Sequence, residues 1–243
     1  MGESGAKDSL IEMTILEKIW KRSERSPSAR RALAQLYNLI SDNRKKIRGR
    51  GNRILTNGAF LHRCRFDIRG NNNSISIGWA TRISNTIFYL RGDNHQLIIG
   101  KNCVYEGDSF CLEDKNCRIT LGEKTTVLAA RLAAAEDNRK IKIGRDCLLA
   151  YDIDIRTTDS HLVINRTSGK RLNPAQDVII ADHVWVAAGV KILKGVRIAA
   201  DSVVAAGAIV TKPFSTKGVI IAGIPAKIIK RNINWTRHRL KKE

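Results

Sequence analysis

Aromatic residues are scarce: Trp, Tyr and Phe together make up 5% of the 243 residues. So few large rings fit a narrow interior filled by Ile, Val, Leu and Ala. Cysteine is sparse too, with five in all, an odd number, and no Cys-x-x-Cys pair. That argues against a disulfide framework and reads as reduced, structural cysteines in a reducing compartment. No apolar run reaches the ~20 residues that a membrane-spanning helix needs. The N-terminus lacks a basic segment followed by an apolar one, so no secretory signal is expected. A soluble, cytoplasmic chain is the expectation.

Acidic residues are in deficit, 23 Asp and Glu against 43 Lys and Arg, a net charge of +20. The excess sits at the ends: +7 over residues 1–53, +8 over residues 212–243, and +5 over the long stretch between. Such a surface suits an anionic partner: coenzyme phosphates, an acidic glycan or a membrane face. Nucleic acid is the least supported, because no fingerprint motif is present and the basic segments lack interleaved stacking aromatics.

What the chain does have is a repeat. Aliphatic residues fall on every sixth position at Ile180, Val186, Ile192, Ile198, Val204 and Val210. Neither a helix nor a flat strand repeats at six. A β-solenoid does, with one short strand and one turn per hexad. The fourth residues after these aliphatics are Val184, Val190, Val196, Ser202, Ala208 and Phe214. All but the last are small or β-branched and suit a second inward position. Gly189, Gly195 and Gly207 stand where corners need permissive angles. Upstream the pitch lengthens. Ile77-Gly78, Ile99-Gly100, Leu121-Gly122 and Ile143-Gly144 recur every 22 residues, each preceded by a polar segment such as Arg69–Asn73 or Arg91–Asn94. Those segments predict one enlarged corner stacked coil over coil. Cys103 and Cys147 fall at the small inward position and read as buried hydrophobes. Roughly seven coils fit between residues 53 and 214. The spacing leaves the handedness open.

The ends read differently. Residues 8–22 (Leu10, Met13, Leu16, Trp20) and 28–47 (Ala32, Leu36, Leu39, Ile40) have helical apolar spacing on either side of Pro27. They predict two amphipathic helices that cover the open end of the solenoid or dock on an anionic membrane or partner. Pro225 and the basic residues after it predict a C-terminal helix to about Leu240. The domain reading is therefore 1–52 helical, 53–214 solenoid, and 215–243 coil end with a basic helix.

The repeat breaks at Thr158-Asp159-Ser160-His161, followed by a polar insertion to Asp177, and Trp185 comes 24 residues after His161. The hexads, the Asp-Ser-His before a loop, and His183-Val184-Trp185-Val186 resemble the hexapeptide-repeat acyltransferases, in particular sugar and capsular-polysaccharide O-acetyltransferases. Ala206–Lys212 and Ala222–Lys227 resemble the coenzyme A end of that family. The resemblance covers residues 55–231. It implies a mainly β fold, a left-handed parallel β-helix, and a homotrimer with sites between subunits. It also implies acetyl-CoA as donor, His161 as general base and Trp185 beside the acetyl site. Matching positions place Ala188 and Ala206 as backbone contacts to coenzyme A, with Thr211 and Lys212 nearby. Lys227 and Lys230 stand where the family has Arg and could meet the nucleotide phosphates, or they belong to a solvated basic segment. One extra residue between Lys212 and Gly223, and Phe214 in place of a smaller residue, depart from the family pattern.

The chemistry suits these residue types. A hydroxyl must lose its proton as it attacks a thioester carbonyl, and an imidazole titrating at about 6.5 can take it. A backbone N–H beside His161 would serve the oxyanion. No Ser or Cys stands in an activated arrangement, so direct transfer in a ternary complex is expected. Asp159 or Asp154 could orient the imidazole, although Asp is also common in turns. His183 reads as a surface residue; His62, His95 and His238 have no supporting context. The expected acceptor is a carbohydrate, an acidic polysaccharide being favoured by the basic excess. A sugar nucleotide or small acceptor, acetylated on oxygen or nitrogen, remains the alternative. A non-catalytic glycan-binding scaffold is a third reading. Zinc hydratases of the same architecture use a His-x4-His pair that this chain lacks, so no metal is expected.

Overall fold

The structure is a computed structural model that describes residues 26–238. The helix expected over residues 8–22 lies outside the described residues. Three faces build the body. Face one holds β2 (Arg53–Leu55), β5 (Ser74–Ile77), β7 (Gln96–Ile99), β9 (Arg118–Leu121), β12 (Lys140–Ile143), β15 (Val178–Ile180) and β18 (Arg197–Ile198), a 7-stranded parallel sheet. Face two holds β3 (Phe60–His62), the first parts of β6 (Arg82–Asp93) and β8 (Val104–Lys115), then β10 (Thr126–Val127), β13 (Leu148–Leu149), β16 (Trp185–Val186), β19 (Val203–Val204) and β21 (Val219–Gly223). Face three holds β1 (Arg44–Arg48), β4 (Arg65–Arg69), the second parts of β6 and β8, then β11 (Ala130–Ala134), β14 (Ile153–Arg156), β17 (Lys191–Ile192) and β20 (Ile209–Val210). The long strands β6 and β8 run through the corner between faces two and three. The chain thus winds as a β-solenoid, each coil giving one strand to each face.

The repeat residues are the core. On face two Ile83, Tyr105, Val127, Leu149, Val186, Val204 and Ile221 stack in register and are buried. On face three Phe66, Phe88, Phe110, Leu132, Ile155, Ile192 and Val210 do the same. The few rings are concentrated in the 22-residue coils: Phe66 and Phe88 stack with centroids 4.3 Å apart, Phe88 and Phe110 at 5.5 Å. All five cysteines are unpaired thiols, and Cys103 and Cys147 are buried as expected. Burial pushes the thiols of both up to about 11.

Corners repeat as regularly as strands. Asn72, Asn94, Asn116 and Asn138 all have positive φ, between 55° and 64°. Each turn bonds to the one before, as when Asn94 N–H donates to Asn71 O at 2.9 Å and Asn116 N–H to Asp93 O at 3.0 Å. The enlarged polar corner is therefore one continuous ladder, as its Asn and Asp content implied. A buried ladder runs beside it. Asn73 N–H donates to Asn52 Oδ1, His95 N–H to Asn73 Oδ1, and Cys117 N–H to His95 Nδ1. His95 Nε2 then faces Arg91 O at 3.0 Å, so the ring is neutral with its proton on Nε2, and burial lowers its pKa. The glycines of the Ile-Gly pairs have a different cause, close approach. A Cβ on Gly78, Gly100, Gly122 or Gly144 would come within 2.5 Å of the next coil's backbone.

Both ends differ from expectation. The second helix is α1 (Pro27–Ile40), capped by Ser26, whose Oγ accepts from Ala29 N–H at 3.4 Å. It stops before residues 44–48, which form β1 and pair in register with β4, so the solenoid begins earlier than residue 53. The helix covers the first coil as a cap, but not through the apolar stripe expected. Ala34 and Arg30 are buried, and Tyr37 meets Phe60 at 5.6 Å, whereas Leu36, Leu39 and Ile40 are exposed. The small Ala34 allows close approach, and Asn38 fixes the contact through Ala59 O and Leu61 N–H. Among the described residues the C-terminal helix is not formed. Residues Ala226–Arg231 are β22, antiparallel to β21 in a hairpin that closes the last coil edge. An unpaired strand edge demands backbone partners, and Ile228 and Ile229 suit a strand. Phe214 is buried and bridges Ile198, so it fills the inward face-one position of the last coil. Among the described residues no helix is long and apolar enough to cross a membrane.

Candidate active site

The insertion between β14 and β15 leaves the body at the corner between faces three and one. It folds back on itself as an arm. Asn165 N–H donates to Lys170 O at 2.8 Å and Leu172 N–H to Val163 O at 2.7 Å, with Ile164 bridging Arg171. Asn165 Oδ1 also accepts from the N–H groups of Thr167 and Ser168, which fixes the tip.

Asn173 holds the base of this arm. Its Nδ2 donates to His161 O at 2.8 Å and to Asp159 Oδ2 at 2.9 Å, and its Oδ1 accepts from Val163 N–H at 2.7 Å. Its carbonyl accepts from Lys194 Nζ and Arg171 Nη2, both at 3.1 Å. Arg171 in turn grips Glu136 on the preceding coil with two bonds of 2.6 Å, and Thr158 Oγ1 donates to the same carboxylate. The Arg171 guanidinium holds the Glu136 carboxyl down at about 2. Lys194, on the following coil, pairs with Asp159. Lys194 first and Asn173 second keep the Asp159 carboxyl below its ordinary value.

The sequence-derived residues fall out as follows. His161 stands on the arm with an exposed side chain. Its carbonyl is tied down, while its imidazole has no hydrogen-bond partner among the described residues. Asp159, expected to orient that imidazole, is instead committed to Lys194 and Asn173 and serves to fasten the arm. Asp154 pairs with Arg156. Trp185 stands on face two, away from the corner that carries the arm, so one chain does not bring His161 and Trp185 together.

Ala188 and Ala206 occupy the same turn on successive coils, between faces two and three, and Gly207 N–H donates to Ala188 O at 2.9 Å. The register carries their line to Gly223, paired with Ala226, and Lys227 stands one residue beside it, opposite Ala222. Thr211 and Lys212 follow β20 at the next corner, and Lys230 lies back along β22 opposite Ile220. His183 is a corner residue with φ 54°, its Nδ1 3.0 Å from Asp201 Oδ1. Among the described residues no three His, Cys, Asp or Glu side chains gather as metal ligands would. Asn173, Lys194 and the Glu136–Arg171 pair form no motif in the sequence; an Asn before Pro174 at the end of an insertion is the one signal it offers.

No family model matches the chain. A polysialic acid O-acetyltransferase of Neisseria meningitidis is 37% identical over 168 residues, which cover 69% of this chain and 77% of that protein. The chain belongs to the hexapeptide-repeat acyltransferases, close to the capsular polysaccharide O-acetyltransferases. A second polysialic acid O-acetyltransferase, from Escherichia coli O1:K1, is 39% identical over 114 residues, 47% of this chain but 37% of that longer protein. The crystal structure of the polySia-specific acetyltransferase NeuO matches with a TM-score of 0.74 at 32% identity, covering 83% of this chain and 92% of that one. That of the polysialic acid O-acetyltransferase OatWY gives the same TM-score of 0.74 and covers 94% of its chain. The solenoid of this O-acetyltransferase is accordingly the left-handed β-helix of the family.

Proposed function

We propose that this O-acetyltransferase transfers acetyl from acetyl-CoA to a hydroxyl of an anionic surface polysaccharide, with His161 as the general base. The observation that carries the reading is the arm: a polar lock holds the His161 main chain and leaves the imidazole open to a substrate. The relatives named as polysialic acid O-acetyltransferases and the charge of +20 support an anionic acceptor. Acetyl-CoA supplies the thioester and leaves as the free thiol. His161 takes the hydroxyl proton as the acceptor oxygen attacks the acetyl carbonyl, and returns it to sulfur as the carbon–sulfur bond breaks. A backbone N–H beside the acetyl carbonyl stabilises the oxyanion. The small side chains of Ala188 and Ala206 leave a smooth turn along which coenzyme A can lie, with Lys227 at its end for phosphate and Thr211, Lys212 and Lys230 farther off.

The site is shared between chains in this reading. Leu162, Val163, Ile164 and Leu172 on the arm are 51–68% exposed, an apolar surface that a second subunit would cover. A homotrimer places His161 of one chain against the Ala188–Ala206 edge and Trp185 of the next. A cytoplasmic enzyme, with its basic ends toward the anionic inner membrane face, fits the use of acetyl-CoA and the charge distribution.

The test is thiol release from acetyl-CoA over polysialic acid, other acidic polysaccharides, sugar nucleotides and small acceptors, with light scattering for the oligomer. His161→Ala is expected to lower turnover about 10²–10⁴-fold with an unchanged melting temperature. Release with sugar nucleotides alone would move the acceptor to that class, and full activity in His161→Ala would remove the general-base role.

A further inference from the structure

Beyond β22 the chain turns back across face two, toward the earlier coils. Ile233 N–H donates to Gly218 O at 3.0 Å, and two residues later the Trp235 indole is buried, 8% exposed. Trp235 lies flat on the His183 imidazole, centroids 4.4 Å apart and planes 9° apart, and its Nε1–H donates to His183 O at 2.9 Å. Arg237 then fastens the tail two coils further along. It donates to Cys147 O at 2.6 Å, to Lys124 O at 3.2 Å and to Thr126 Oγ1 at 3.1 Å, and pairs with Asp146 at 2.9 Å. So many bonds to main-chain and corner groups make the tail a strap rather than a loose end.

The strap passes beside Trp185. That residue stands on a strand of two residues, flanked in register by Leu148 and Val203. Its indole forms no hydrogen bond among the described residues, and its one ring contact there is with Trp235, at 6.1 Å and 44°. Neighbouring aliphatic side chains leave an indole on an open face free to change rotamer. The wall that limits Trp185 is therefore Trp235, which is itself fixed by stacking, by its Nε1–H and by the Arg237 anchor.

We infer that Trp235 is a positioning residue: the C-terminal strap sets the Trp185 ring and thereby the geometry of acetyl transfer. The inference rests on the reading of Trp185 as part of the acetyl site. Nothing in the spacing of the repeat points to Trp235, because it lies after the last coil.

The test is a double-mutant cycle on the full chain, read by steady-state kinetics with acetyl-CoA and a polysialic acid acceptor and by near-ultraviolet circular dichroism. Trp235→Ala should lower kcat about tenfold, as a small misplacement of a substrate-positioning group does. The KM for acetyl-CoA should stay nearly constant. Trp235→Phe keeps a stacking ring and should recover most of the loss, while Arg237→Ala, which frees the strap without touching Trp185, should lose part of it. In a Trp185→Ala background Trp235→Ala should cost nothing more, and the aromatic dichroism of the ring pair should disappear in either single variant. Losses that multiply in the double variant, or a Trp235→Ala enzyme with normal kcat while Trp185→Ala is impaired, would overturn the inference and leave the acetyl-site reading intact. Full turnover in Trp185→Ala would overturn that reading at this residue and the inference with it. A global fall in melting temperature for Trp235→Ala without recovery in Trp235→Phe turnover would reduce the strap to a structural clamp and also overturn the inference.

Discussion

The coil stack and the arm that interrupts it are held by opposite means. In the stack each inward side chain has a similar one above and below, as Phe88 has Phe66 and Phe110, and no single polar contact decides the shape. In the arm a few polar groups decide everything: Asn173 alone bonds His161, Asp159 and Val163. Hydrophobic stacking is redundant and tolerant of sequence. A buried polar hub is neither, since each partner left unmade carries the full cost of desolvation. The protein has put its regular part where rigidity is needed and its irregular part where chemistry is expected.

That contrast can be broken from either side. The largest effect should come from the stack: Phe88→Ala is expected to lose about 3–5 kcal/mol, visible as a lower midpoint in urea over the whole molecule. Asn173→Ala should remove about 1–3 kcal/mol from the arm alone. Faster hydrogen exchange over residues 157–177, weaker turnover and a nearly constant melting temperature would mark it; a molecule-wide loss of stability would mean that arm and stack are one unit. Acid gives a smaller, graded version. Arg171 holds the Glu136 carboxyl at about 2, below its ordinary 4.5, so its contribution is complete above the ordinary value and fades as the pH falls toward about 2. Pepsin should accordingly cut the arm at low pH before far-ultraviolet dichroism changes, and Arg171→Ala should shift that cut to higher pH. The smallest effect belongs to His95, whose pKa burial lowers. The unfolded chain binds its proton at about 6.5 and the folded one only at lower pH, so the stack loses stability as the pH drops below that value. His95→Asn continues the Asn52–Asn73 ladder without a titrating group and should flatten the melting temperature between mildly acid and neutral pH.

Much of the stack was legible from the chain because its cause is periodic. Ile77, Ile99, Leu121 and Ile143 sit in register as their spacing required, and the corner Asn residues adopt the left-handed angles their type allows. Gly78 and its column were visible as a pattern, but their reason, the next coil's backbone at 2.5 Å from a Cβ, is not a property of one coil. At the ends tertiary demand overrides local periodicity. Lys227–Lys230 became a strand because β21 offered an edge, and α1 turned Ala34 rather than Leu36 inward because the first coil admits a small residue. His161 was found through its motif. Its fastening was not, because Asn173, Lys194 and Glu136 come from three separate stretches with no common spacing.

The 22-residue stride of the early coils gives the molecule a length that changes only in whole steps. Residue i meets residue i+22 through β5, β7, β9 and β12, so excising residues 95–116 would join Asn94 to Cys117, which already stands where His95 does one coil earlier. The shortened chain would keep every bond of the arm. It would bring α1 nearer to His161 by one strand spacing, about 4.8 Å. The early coils thus work as a ruler with fixed graduations, and an enzyme for a chain-like substrate could alter its reach by adding or losing one mark without retuning its chemistry.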